Sequence, residues 1–249
     1  MPGKPAGRAE LAMNWRRGLF AVLALIAVAC TYILSSEPHL RAYLCPACLG
    51  FREIAPRVHA DSQASDAQID AALDSMNAAQ GRLAQAYPDR VATPVWLLCL
   101  SGNCGVAGGP RPLAMAYMNL FVFVYPDGAN ATILTHELAH AELHARLGTA
   151  RRLLSQPVPT WFDEGVAVLV SKDPRYLEIA NGVVTGCKAG DWPEPPSDQR
   201  TFRRRAATQA EALYTASACR VIDWLADKGG VSALPDMVTR IRAGVATVE

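Results

Sequence analysis

Thr132-Ile133-Leu134-Thr135-His136-Glu137-Leu138-Ala139-His140-Ala141-Glu142-Leu143-His144-Ala145-Arg146-Leu147 carries three of the chain's five histidines within nine residues. It reads as a helix over about 132–147, and its centre, His136 to His140, is an HExxH. At i and i+4 the two imidazoles stand one turn apart, about 6 Å along the axis, and can chelate one ion from the same face. Glu137 can reach a water beside that ion without becoming an inner ligand, the placement a general base needs. His144 lies two turns beyond His136, about 12 Å along the axis, too far to share the ion. It is expected behind the site or on the surface. Taken alone, five residues also fit a polar helix face with satisfied histidines.

The segment Pro159-Thr160-Trp161-Phe162-Asp163-Glu164-Gly165-Val166-Ala167 follows. A helix started near Pro159 and ended before Pro174 could cross the first and supply Glu164 as a third ligand, leaving the fourth tetrahedral position open. Asp163 competes for that place, but neighbouring residues on a helix face about 100° apart, so only one can point at the ion. Val166 to Val170 also fits a buried strand, with Glu164 in the turn before it.

The HExxH followed by W-x-x-E-G-x-A resembles the gluzincin metallopeptidases, in particular the peptidase MA-like domains, over roughly Asn119 to Gly229. The resemblance implies a zincin-like α+β fold with a small sheet against the HExxH helix and a mostly helical C-terminal part. It implies zinc held by His136, His140 and Glu164, Glu137 as catalytic base, and a peptide or protein substrate. It also implies a tyrosine on a later helix that donates to the oxyanion. Tyr214 is the candidate, with Tyr176 as its rival. Where thermolysin-like members place an aspartate four residues after the glutamate ligand, this chain has Val168, so support for the histidines has to come from elsewhere.

Upstream, Ser65 and Gln68 form a capping box for a helix over about Asp66 to Tyr87, with Ile69, Leu73, Met76, Leu83 and Tyr87 as its apolar stripe. Val95–Leu100 and Asn119–Tyr125 read as strands separated by a glycine-rich loop. The second of these is the expected strand for holding substrate by β-augmentation.

Leu19 to Leu34 run sixteen residues without a charge, after Lys4, Arg8, Arg16 and Arg17 and before Glu37. The bias of positive charge places the N-terminus in the cytoplasm and the bulk of the chain outside. The run serves as a retained anchor, a lipidated anchor at Cys30, or a cleaved signal. Each fate delivers the domain to an oxidising, extracytoplasmic space. The six later cysteines pair by proximity or default as Cys45–Cys48, Cys99–Cys104 and Cys187–Cys219, although six cysteines allow fifteen connectivities. A redox site at Cys45–Cys48 and a zinc knuckle using Cys45, Cys48, Cys99 and Cys104 are competing readings. The domain reading is an anchor over 1–36, a juxtamembrane linker over 37–60 and a zincin-like domain over 61–249.

With 51% apolar residues, 19% charged residues and a net charge of +1, the chain is neither disordered nor a nucleic-acid binder. Arg203, Arg204 and Arg205, the one basic run, read as a solvated helix face or loop. The function expected is therefore a membrane-anchored zinc peptidase. A non-catalytic zinc-binding module on the membrane face is the alternative, and a thiol oxidoreductase at Cys45 and Cys48 is a third reading.

Overall fold

In a computed structural model, the described residues are 19–25, 28, 31–32, 36–104, 112–148 and 155–248. They form an α+β fold around a five-stranded mixed sheet of order β1-β2-β3-β5-β4. The strands are β1 (Phe51–Ala55), β2 (Val58–Asp61), β3 (Val95–Leu98), β4 (Ala114–Tyr117) and β5 (Phe121–Val124). β2, β3 and β5 run parallel, while β1 and β4 close the two edges antiparallel.

Alternation of side chains along the strands divides the core. Trp96, Leu98, Val122 and Val124 face the main core. Leu97, Phe121 and Phe123 face a smaller one with Phe51, Cys99 and Tyr125. Helix α1 (Pro38–Leu44) covers that smaller face through Ala42 and the stack of Tyr43 on Phe121. The main face carries α2 (Asp66–Ala86) and α3 (Ala131–Leu147).

Asn130 starts α3 by accepting the Ile133 N–H, and Gly148 ends it with a positive φ of 91°. Helix α4 (Thr160–Ser171) packs on α3 and on α5 (Gln199–Ala226), which bends at Gln209, where φ and ψ leave the helical region. A hairpin of β6 (Leu177–Ala180) and β7 (Val183–Cys187) and a last helix, α6 (Leu234–Arg242), complete the chain. Glu164 thus lies in a helix, which removes the strand reading of Val166–Val170.

Two expectations change. The span 37–60 is built into the domain, because α1 and most of the β1–β2 hairpin lie in it and that hairpin extends the sheet. Asn119–Tyr125 holds β5, which is paired on both sides, so it has no free edge for a substrate. Of the two edge strands, β1 and β4, the one beside the HExxH helix is β4, and it has no second strand partner among the described residues.

The apolar run is only partly described. Its described residues are helical, and Leu19, Phe20, Val22, Leu23, Leu25 and Val28 are each at least half exposed. No helix among the described residues is long and apolar enough to cross a membrane. Cys30 and residues 1–18 lie outside the described residues.

Candidate metal centre

The histidines of α3 face α4 because the two helices meet closely, and α4 in turn packs tightly on α5. Gly165 makes the second contact possible: a β-carbon there would collide with the Ser217 carbonyl. The residue before it, Glu164, is thereby brought against His136 and His140. The two Nε2 atoms lie 3.1 Å apart, and Glu164 Oε2 is 3.5 Å from His136 Nε2 and 3.4 Å from His140 Nε2.

These separations are the edges of a cage. A tetrahedral zinc site with bonds of about 2.0–2.1 Å has ligand–ligand edges of about 3.3–3.4 Å. Glu164 Oε2 is buried and has no hydrogen-bond partner. A buried carboxylate oxygen left unpaired costs free energy unless a cation meets it. These three residues could hold a metal ion.

Asp163 takes the opposite side of the same imidazole. His140 Nδ1 donates to Asp163 Oδ1 at 2.7 Å, which leaves the Nε2 lone pair for a cation. His144 Nε2 donates to Asp163 Oδ2 at 2.8 Å. His140, His144 and Asp163 could on paper also hold a metal. Their 2.7–2.8 Å spacings are those of hydrogen bonds with a proton between, shorter than the edges of a zinc tetrahedron. The support missing at Val168 therefore comes from Asp163, the residue before Glu164, and His144 is the buried second holder of that carboxylate.

Charge follows the geometry. Burial opposes the charged form of His140, but Asp163 and Glu164 outweigh it and hold the imidazolium well above the ordinary histidine range. Burial pushes Asp163 up, yet His144 and His140 hold it well below the usual carboxylate range. Glu164, opposed by burial but faced by His140 and His136, is held at about 2.

Glu137 points to the sheet: its Oε2 accepts the backbone N–H of Ala116 on β4. Tyr125 N–H bonds to the Leu113 carbonyl, so Leu113, Met115 and Tyr117 turn their backbone groups to β5. Ala114 and Ala116 turn theirs to the free edge. Tyr214 stands on α5 with its ring 6.1 Å from that of His136, and Tyr176 stacks on it at 5.4 Å. The negative charge of Glu164, with burial and Glu137, pushes the Tyr214 hydroxyl well above its ordinary value, so it remains a donor.

Two cavities follow β4, on the side where α5 passes. One, of about 670 Å³, is lined by Leu113, Ala114, His136, Glu137, Tyr176 and Tyr214; the other, of about 510 Å³, is lined by Met115 to Met118, His144 and Glu37. Arg203 lines both. It is exposed, as expected of its run, and has no ion-pair partner among the described residues.

The cysteines join as Cys45–Cys48, Cys99–Cys104 and Cys187–Cys219. These pairings leave no four-cysteine knuckle. Cys45 precedes a four-residue 3-10 turn and no strand leads into it among the described residues, so the setting of a thiol-redox site is absent. Asp61, close to Cys99 and Cys104, accepts the N–H groups of Leu100 and Ser101 and serves the loop.

No family model, curated protein or solved structure matches the chain.

Proposed function

We propose that this chain is a membrane-anchored, extracytoplasmic zinc peptidase of the gluzincin kind, hydrolysing peptide bonds. One observation carries the reading: two imidazole nitrogens and an unpaired carboxylate oxygen converge at 3.1–3.5 Å, one residue from a glutamate that reaches a free sheet edge. Bound zinc would act as a Lewis acid that acidifies a water and polarises a carbonyl.

The chain's own residues do the rest. The outward backbone groups of Ala114 and the outward carbonyl of Ala116 pair with an extended substrate, which sets its reacting carbonyl opposite Glu137, the acceptor of the Ala116 N–H. Glu137 takes a proton from the attacking water as the new C–O bond forms. It returns that proton to the nitrogen as the C–N bond breaks. Tyr214 donates to the carbonyl oxygen while it carries negative charge. Asp163 holds the His140 ring still throughout. Arg203, which has no ion-pair partner among the described residues, favours an acidic side chain in the groove.

Glu137→Gln tests the reading. The amide keeps the size and the acceptor oxygen but cannot take a proton at neutral pH. Zinc content should be unchanged, and hydrolysis of a peptide library should fall about 10⁴-fold. Zinc-loaded wild type that cleaves nothing, or a variant as fast as wild type, would leave a non-catalytic zinc-binding module in its place.

A further inference from the structure

We propose that the cleft works at the membrane surface, on polypeptide segments that emerge from the bilayer beside the protein's own anchor. This rests on the peptidase reading and on the anchor reading of Leu19–Leu34. The groove and the anchor meet at one residue: Glu37, three residues after the apolar run, lines the cavity formed by Met115, Tyr117, Met118 and Arg203. Three residues reach at most about 10 Å, and the headgroup layer on one side of a bilayer takes about 5–7 Å of that.

Nothing after Glu37 lets the domain swing away. His39 hydrogen-bonds to Tyr125 at 2.8 Å, Ala42 is fully buried and Tyr43 stacks on Phe121 at 4.9 Å. The first turn after the anchor is thus part of the sheet's packing, where a flexible tether would have left the cleft free to face any direction.

The geometry also sets where a substrate is cut. Ala116, opposite Glu137, is two residues along β4 from Met118, about 7 Å at strand spacing. The reacting carbonyl then lies roughly 20 Å from the apolar layer, which an extended chain covers in about six residues. The substrate class is a membrane-inserted protein with an extended juxtamembrane stretch.

Two readouts on the full-length, zinc-loaded chain in liposomes test this. A fluorescent amino acid at Met118 should lose at least half its emission when the lipids carry nitroxide headgroups; emission equal to that in unlabelled liposomes would overturn the proposal without touching the peptidase reading. One cleavable segment is then offered directly after a transmembrane helix, after a 40-residue spacer, and as a free peptide. The first should be cut about tenfold faster than the others, because anchoring raises its local concentration at the cleft. Equal rates would overturn the proposal and leave the peptidase standing. No cleavage of any form would overturn both.

Discussion

Two clusters share the imidazole of His140 and differ in how their polar atoms are paired. On the Nδ1 side, Asp163 spends one oxygen on His140 and the other on His144, at 2.7 and 2.8 Å. On the Nε2 side, two ring nitrogens and Glu164 Oε2 face one another at 3.1–3.5 Å, and the buried oxygen has the two rings at ion-pair range but no hydrogen-bond partner. Neighbouring carboxylates on one helix therefore do opposite work. One is a finished hydrogen-bond scaffold, and the other is a set of ligand atoms that could hold a cation. Burial alone does not separate them, since both pay desolvation. The paired oxygens do.

Breaking the open side should cost most. His136→Ala, His140→Ala and Glu164→Ala should each lower zinc affinity by about 10³-fold or more, measured by competition with a chromophoric chelator. Breaking the finished side should cost less: Asp163→Asn should weaken zinc about 10- to 100-fold, as other outer partners of a zinc histidine do. If Asp163→Asn lost the metal while Glu164→Ala kept it, the two roles would be reversed.

The smallest effect is on pH. In metal-free protein Glu164 has a folded value of about 2 against 4.5 ordinarily, so its contribution to stability is present above 4.5 and fades as pH falls toward 2. His140 is raised above 6.5, so its contribution is full below 6.5 and is lost as pH rises through its folded value. The thermal midpoint of metal-free protein should therefore be highest between about 4.5 and 6.5 and fall by a few degrees on either side. Zinc takes the place of the His140 proton, so the alkaline decline should vanish on loading.

How much of this was legible follows from how local each signal is. The helix of HExxH, the capping box at Ser65 and Gln68, and the helix carrying Glu164 depend on spacings of three to five residues, and all three form where the sequence put them. The edge strand β4 went unread because Ala114-Met115-Ala116-Tyr117 lacks β-branched residues. Its pairing with β5 and the Glu137–Ala116 bond hold it. The β1–β2 hairpin lies within the span 37–60 that reads as a linker, because Pro56 breaks the strand pattern; it sits in the hairpin's turn beside Arg57, where φ is 65°. The role of Asp163 needed the third dimension. A 100° step between neighbours says that the two carboxylates diverge, and only the packing of α3 against α4 puts both nitrogens of His140 between them. The kink at Gln209, which leaves the first half of α5 beside the cleft, has no Pro or Gly to announce it.

The account turns on where one ion sits, and anomalous diffraction at the zinc edge from zinc-loaded crystals measures that directly. A single peak per chain is predicted, within about 2.0–2.2 Å of His136 Nε2, His140 Nε2 and a Glu164 oxygen, with Asp163 still on His140 Nδ1. A peak between Asp163 and His144, or no peak after loading, would contradict it.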